Sequence, residues 1–366
     1  LGTLSYGVPR IDAHYEAVNL LRFANSGVWD DELSTDTALW DAWRWVRSVC
    51  LPRSCEVLEF EEVRRPLGKA MGFPYDQFMP SRERFVRSPE YPEECSRAWA
   101  SLLDANCVPV WRVMGKFELL KLSKISELKG RDIIFPPFPL TMCAGRLFQE
   151  QNDLLAGGYD LHTPIMSGFT KYFGGHAVWY DSHSRWSLHH EYDAVGWDAH
   201  FRPEFQSLIC QMRLTRLSGS TDDAIRVVNW YRHQSRSLCL MNSGAVLIVD
   251  GMKSGSFNTF ADNSLGNLVF NKYLLELNGL DGCITVGGDD VAMSTDQFVE
   301  PDPVSARFGL EYGPDRVLHP QLDDLSIFST RTVWVEGRPQ PCTVRPDKLL
   351  AAVHYVPHGL PSDARA

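Results

Sequence analysis

Apolar positions along the chain fall into two periods. In "DTALWDAWRWVRSV" (36–49), Leu39, Trp40, Trp43, Val46 and Val49 recur at three- and four-residue steps, which predicts a helix with one core-facing stripe. Those tryptophans have a second use, stacking on nucleic-acid bases, but a core stripe explains them more simply. "SFNTFADNSLGNLVFNKYLLELNG" (256–279) reads as a long helix stopped by Asn278-Gly279. Shorter runs read as strands: "GAVLIVDG" (244–251), and "CITV" with "VAMS" on either side of "GGDD". "LSIFSTRTVWVEGRPQPCTV" (325–344) alternates like another hairpin, with Glu336-Gly337 at its turn. Pro- and Gly-containing connections such as "RRPLGKAMGFPYDQF" (64–78) separate the early helices, and no internal repeat or low-complexity tract is present. From about residue 176 helix-like and strand-like segments alternate, which predicts an α+β fold.

The bulk numbers narrow the classes. A chain of 366 residues with 44% hydrophobic and 22% charged residues can bury a large core, in one multi-part domain or a few intimately packed ones. Its longest central aliphatic run, "AVLIV" (245–249), is far too short for a membrane span. "LGTLSYGVPR" at the start has no basic-then-apolar signal pattern, so a secreted product is not expected. The nine cysteines are odd in number and lack C-x-x-C spacing, which favours reduced, buried thiols over disulfides or structural zinc. Net charge is −10, so any polyanion must be met by a local basic element or by bound cations.

The acidic positions raise the chemical question. Asp289 and Asp290 sit side by side at the tip of a hairpin, where Gly287 and Gly288 can supply the positive φ of a tight turn. A surface turn accounts for the glycines but not for two adjacent charges. Upstream, Asp193 ends a strand-like stretch, and Asp198 lies just before Pro203 and Glu204 open a helix. A strand end delivering Asp193 beside the hairpin tip would gather three carboxylates, a set of hard oxygen ligands suited to two Mg²⁺ ions. Between them, Ser254-Gly255 reads as a flexible loop before a helix, where backbone N–H groups can meet a phosphate or sugar. Thr259 and Asn263, four apart, share one helix face; they can read ribose hydroxyls or bond within the fold.

In chain order these elements are D-x4-D, then S-G-x3-T-x3-N-S, then G-D-D. The series resembles motifs A, B and C of viral RNA-dependent RNA polymerases, in the style of picornavirus-like and astrovirus-like positive-strand RNA viruses. "KAMGFPY" (69–75), containing Gly72 and Pro74, resembles the template-guiding motif G. "KFELLKLSKISELKGRDI" (116–133) resembles motif F, the basic fingers hairpin, with Lys116, Lys124 and Arg131 at the family spacing. From Arg112 to Arg131 there are six Lys/Arg against two Glu, the local basic element that the net charge calls for. "FGLEYGPDR" (308–316) resembles motif D, and "LSIFSTRTVWVEG" (325–337) resembles the primer-grip motif E.

The resemblance implies a right hand copying RNA from an RNA template. Fingers would occupy 1–185, with motif G at 69–75 and motif F at 112–133; palm would occupy 186–205 and 244–337, with a fingers insertion at 206–243. Residues 338–366 would begin a thumb. The missing initiator Met and the short stretch after motif E lead to the expectation of a partial chain with a truncated thumb. Asp193 and Asp289 would hold two Mg²⁺ ions, replaceable by Mn²⁺, with Asp290 as a lesser ligand or electrostatic support. Asp198, Asn263 and Thr259 would recognise the ribose 2′-hydroxyl. Lys124 and Arg131 would grip the triphosphate of the incoming NTP. Lys116, Gly72, Pro74, Ser254 and Gly255 would line the path of RNA template and product. Arg316 or His319 would stand where motif D offers its proton donor, and the sequence does not choose between them. Leu120 departs from the pattern, standing where picornavirus-like enzymes carry Arg. The enzyme would work in the host cytoplasm, at virus-induced membrane replication sites and with other viral replication proteins. A phosphohydrolase or nuclease would use the same acids but not the S-G-x3-T-x3-N-S helix, and a non-catalytic RNA-binding scaffold would not require them intact. Reverse transcription is disfavoured by the ribose-reading pair. Adjacent His189 and His190 point to opposite faces of any strand, so packing or solvent exposure explains His183, His189 and His190 better than a shared metal.

Overall fold

The computed structural model describes residues 5–25, 27–156, 163–192, 194–312 and 317–354. Helix α1 (Thr37–Cys50) carries the predicted stripe. Asp36 caps it by accepting from the Ala38 N–H at 3.0 Å, and Leu39, Ala42, Trp43, Val46 and Cys50 are buried. Trp40 and Val49 are half-buried, and Trp43 donates its indole N–H to the Leu208 carbonyl at 2.9 Å, as a core tryptophan should.

Strands β1 (Val110–Gly115) and β2 (Asp132–Phe135) pair antiparallel, and helix α2 (Phe138–Leu154) follows. The basic stretch between β1 and β2 is more than a simple hairpin. It contains the strand Leu120–Lys121, paired with Tyr6–Gly7, and the short helix Leu122–Ser126. After α3 (Gly175–His183) come β3 (Leu188–Tyr192), the single-turn α4 (Trp197–His200) and α5 (Pro203–Leu214). Helix α6 (Thr221–Ser235) opens on a capping box between Ser220 and Asp223 and leads into β4 (Arg236–Leu240) and β5 (Val246–Asp250). Helix α7 (Thr259–Asn278) ends where Gly279 takes a left-handed φ of 62°. Next come the acid-tipped hairpin β6 (Gly282–Gly287) and β7 (Asp290–Thr295), and then β8 (Val317–His319). The second hairpin, β9 (Thr330–Val335) and β10 (Arg338–Thr343), turns at Glu336 and Gly337 with φ of 51° and 73°, the paired positive angles of a two-residue turn. Helix α8 (Pro346–His354) is the last described element.

Two four-stranded sheets frame the molecule. One has the order β2-β1-β4-β5, with β1 and β4 parallel; the other has the order β6-β7-β3-β8 and is antiparallel throughout. Helix α7 packs on β6 of the second sheet and on α5, with α1 along it, and every residue from Ala261 to Leu275 except the half-buried Lys272 is buried. A single core cluster joins Trp43 of α1, Trp111 of β1, Trp230 of α6, Phe270 of α7 and Val286 of β6. Each fully enclosed side chain of this kind contributes roughly 1.5–3 kcal/mol. The two sheets therefore form one packed body. All nine cysteines are free, and Cys107 is the exposed one. Among the described residues no helix is long and apolar enough to cross a membrane.

Candidate active site

The register Gly287↔Asp290 leaves Gly288 and Asp289 as the two residues of the β6–β7 turn. Only Gly288 has a positive φ, 69°; the expectation that Gly287 does so too is not met. Gly287 is required for another reason: a Cβ there would lie 2.0 Å from the Phe328 ring. Asp289 and Asp290 are exposed. Helix α7 clamps the turn that presents them. Ser264 Oγ accepts from the Gly288 N–H at 2.8 Å, and Asn267 Nδ2 donates to the carbonyls of Gly288 (3.2 Å), Asp289 (3.0 Å) and Asp290 (3.4 Å). Asn271 Nδ2 in turn donates to Asn267 Oδ1 at 2.7 Å and fixes that amide. Ser264, Asn267 and Asn271 share one face of the helix; the sequence motif ends on Ser264 without giving it a role, and it does not reach Asn267 or Asn271.

Strand β3 runs beside β7, with Tyr192 opposite Val291. Asp193 and Arg316 lie outside the described residues. The chain is described again from Ala194, which bridges to Tyr312, and Gly196 takes φ of 58° to start α4 with Asp198 in its first turn. Asn263 Nδ2 donates to Asp198 Oδ1 at 2.8 Å, so the two expected ribose readers meet. Removal from water pushes the Asp198 carboxyl up to about 6; the Asn263 amide opposes this, and the charge of Asp289 adds to it. Arg131 and Lys253 pull it back down. Asp198, Asp289 and Arg131 thus share one electrostatic neighbourhood.

Lys253 was not singled out in the sequence, yet it is fully buried beneath this site. Its ammonium donates to the carbonyls of Gly251 (2.6 Å) and Ser235 (3.3 Å), and burial pulls its pKa down to about 8. The same loop grips Asp198 from the main chain: the Met252 N–H donates to the Asp198 carbonyl at 2.7 Å. Gly251, at φ of 90°, is obligatory there because a Cβ would stand 2.5 Å from that oxygen.

The other expected residues fall into separate groups. Arg131 Nε donates to Glu118 Oε1 at 2.8 Å in a two-pronged ion pair, and Lys116 Nζ is 3.5 Å from the same carboxylate. Although burial pushes the Glu118 carboxyl up, the Arg131 hydrogen bond and nearby charges hold it below the usual range. Lys124 is exposed on the short helix Leu122–Ser126. Ser254 and Gly255 are pinned to β2, contrary to the expected flexible loop. Ser254 Oγ donates to the Asp132 carbonyl at 2.9 Å, and the Gly255 N–H donates to the Ile134 carbonyl at 2.9 Å. The Thr259 hydroxyl donates to the carbonyls of Lys253 (2.7 Å) and Ser256 (3.0 Å), within its own loop. Gly72, at φ of 80°, packs against Pro136 and Pro137 just beyond β2, where a Cβ would meet the Pro136 carbonyl oxygen at 2.6 Å. Pro74 lines a groove of about 280 Å³ with Phe73, Tyr75 and Leu140. His319 pairs with His189, which pairs with Ser294. Four strand residues then separate it from Asp290, roughly 13 Å. Its Nε2 faces Glu191 at 3.2 Å. His319 is therefore not brought to the acidic tip.

His183, His189 and His190 are buried, and His189 and His190 lie on opposite faces of β3 as expected. His183 contacts Thr285 Oγ1 through Nε2 (3.0 Å) and Ser294 Oγ through Nδ1 (2.7 Å), and His189 Nδ1 is 2.8 Å from the same Ser294 Oγ. Trp179 Nε1 donates to Thr285 Oγ1, which leaves the threonine proton for His183 Nε2. His183 Nδ1–H then donates to Ser294, and Ser294 donates to His189, so every member is satisfied. His190 faces Thr295 Oγ1 at 2.9 Å on the other side.

An exposed acid turn, a ribose-sized polar pair and a basic arch can together neutralise and orient a nucleotide. Asp289 and Asp198 carry like charges into one neighbourhood, an arrangement that a divalent cation relieves. Among the described residues no three His, Cys, Asp or Glu side chains form a metal-binding group, and Asp193 is not among them.

The family described as "Viral RNA-dependent RNA polymerase" matches residues 54–311. Among solved structures, the "Sicinivirus 3Dpol RNA dependent RNA polymerase" is similar in fold, with a TM-score of 0.81 at 16% identity. The match covers 98% of this chain and 82% of that one. No sequence among the curated proteins matches.

Proposed function

The chain belongs to the viral RNA-dependent RNA polymerases, enzymes that depend on divalent metal and bind RNA and NTPs, and from that premise we propose how its own residues divide the work. Asp193 and Asp289, with Asp290 in support, would hold two Mg²⁺ ions, which would supply charge neutralisation for nucleotidyl transfer. Asp198 and Asn263 receive the ribose 2′-hydroxyl, with Thr259 supporting the loop beneath. A buried polar pair of this kind rejects a deoxy sugar because its hydrogen bonds would be left unmade. Arg131, with Lys124, draws the triphosphate towards the acids, and Lys116, Gly72, Pro74, Ser254 and Gly255 border the RNA path. The primer 3′-hydroxyl attacks the α-phosphate, a new phosphodiester forms, and pyrophosphate leaves; the protein contributes positioning and charge.

The observation that carries this reading is the 2.8 Å contact between Asn263 and Asp198, close enough to the hairpin tip for Asp289 to act on it. We assign fingers to 1–185 and 206–243, palm to 186–205 and 244–337, and the start of a thumb to 338–366; the sheet β6-β7-β3-β8 lies wholly within the palm, whereas β5 (Val246–Asp250) pairs with β4 in the other sheet, across the boundary at 243/244. We further propose that the genome is positive-strand and is copied in the host cytoplasm, at membrane replication sites and alongside other viral replication proteins.

Primer extension on an RNA template with labelled NTPs and Mg²⁺, run with and without primer, tests the assignment. Purified protein extends the primer and Asp289→Ala abolishes extension; activity surviving in that variant rejects the metal assignment.

A further inference from the structure

Immediately before Asn263 stands Asp262, and its side chain faces away from the nucleotide site into the fingers. It is fully buried, as is its partner Arg213 at the end of α5. Asp262 Oδ1 accepts from Arg213 Nε at 2.9 Å and Nη2 at 2.7 Å, while Oδ2 accepts from Tyr231 Oη at 2.9 Å. The guanidinium also donates to Gln151 Oε1 (3.2 Å) and Asn152 Oδ1 (2.9 Å) of α2. Helices α2, α5, α6 and α7 therefore converge on one ion pair.

A buried ion pair is a poor source of stability, because desolvating both charges offsets most of their attraction. Its clearest use is to fix a register, and α7 needs one. That helix is buried on nearly all sides, so its apolar surface gives little preference for one rotation about its axis. Successive residues on a helix point about 100° apart. Locking Asp262 onto Arg213 therefore sets the direction of Asn263. The segment that supplies Arg213 also begins with Asp198, so α7 is held against it at two places, Asp262–Arg213 and Asn263–Asp198.

We propose that Asp262 and Arg213 are positioning residues for ribose selection, holding Asn263 at the angle from which it meets Asp198. This rests on the reading of Asn263 and Asp198 as the 2′-hydroxyl receptor. The test is primer extension by the full chain, with kcat and KM measured separately for each NTP and its dNTP. An apolar double replacement, Arg213→Met with Asp262→Leu, removes the pair without stranding a charge. We expect it to fold and to extend RNA, with a raised KM for NTPs, little change for dNTPs, and a preference for NTPs reduced about tenfold, the worth of one hydrogen bond to a charged group. Arg213→Lys, which keeps the charge but loses the fork, has a preference clearly reduced from wild type yet less so than the double variant. Equal losses for both sugars, or an unchanged preference, overturn the proposal. If the double variant does not fold, Arg213→Lys decides: its fork is lost, so a wild-type preference overturns the proposal and a reduced one supports it. Asn263→Ala separates the two levels. If it leaves the preference intact, the receptor reading fails; if it shifts the preference and the pair variants do not, only the positioning role fails.

Discussion

Asn267 makes the strongest single claim on the acid turn, because one amide serves three successive carbonyls of the hairpin. Replacing it with Ala leaves those carbonyls and the Asn271 amide short of partners inside the protein, a loss of about 1–3 kcal/mol. Extension should fall further than stability, since the turn that carries Asp289 loosens first. Thermal unfolding compared with single-turnover extension checks this, and a wild-type extension rate in a destabilised Asn267→Ala would confine the residue to folding. At this scale the sequence exposed the groups proposed to face substrate, Asp289, Asp198 and Asn263, through the order and spacing of the motifs that carry them. It marked Ser264 only as the last letter of its motif, without a role, and it hid Asn267 and Lys253. Their partners are main-chain carbonyls and N–H groups, which have no letter in a sequence.

Among the elements, hairpins and helices with strong periodicity were legible, down to the Glu336-Gly337 turn and the Gly279 stop. The basic arch between β1 and β2 was legible as charge and as a likeness to a basic hairpin, but not in its path. Its path depends on pairing with Tyr6–Gly7 more than a hundred residues away, and no local pattern encodes that. The Ser254-Gly255 loop misled for the same reason: small residues suggested mobility, whereas contact with β2 fixes it. Within the arch, Glu118 holds two prongs of Arg131 and sits near Lys116. A fork held in place loses less freedom on meeting a triphosphate. Glu118→Gln should therefore raise the KM for NTPs several-fold while leaving RNA affinity and stability close to wild type. Steady-state extension against NTP concentration, with a separate RNA-binding measurement, distinguishes the alternatives; a lowered KM would mean that the carboxylate competes with phosphate for Arg131.

For the whole molecule, the order of acid and polar motifs along the chain announced the fold, because one sheet topology brings a strand end, a helix face and a hairpin tip together. His183, His189 and His190 were legible as ill-placed to share a metal but not as packed or as a network, and the buried histidines, His176 and His233 among them, set how the protein responds to acid. Burial holds His176, His190 and His233 down to about 4 and His183 down to about 3. An unfolded imidazole protonates near pH 6.5. Between about pH 6.5 and 4 the unfolded chain thus binds more protons at these sites than the folded one, so their contribution to stability is lost as pH falls. Asp132, raised by burial to about 7, and Asp198, at about 6, act in the opposite sense, since the folded state keeps their protons longer. Four imidazoles against two carboxyls leave the balance on the side of neutral pH. Thermal unfolding should occur about 5 °C lower at pH 5 than at pH 7.5. His183→Asn removes the most depressed of the four groups while its amide can still reach Ser294, and it should flatten that pH dependence even if it lowers stability at pH 7.5. An equal drop in both proteins between the two pH values would move the origin of the acid sensitivity away from this network.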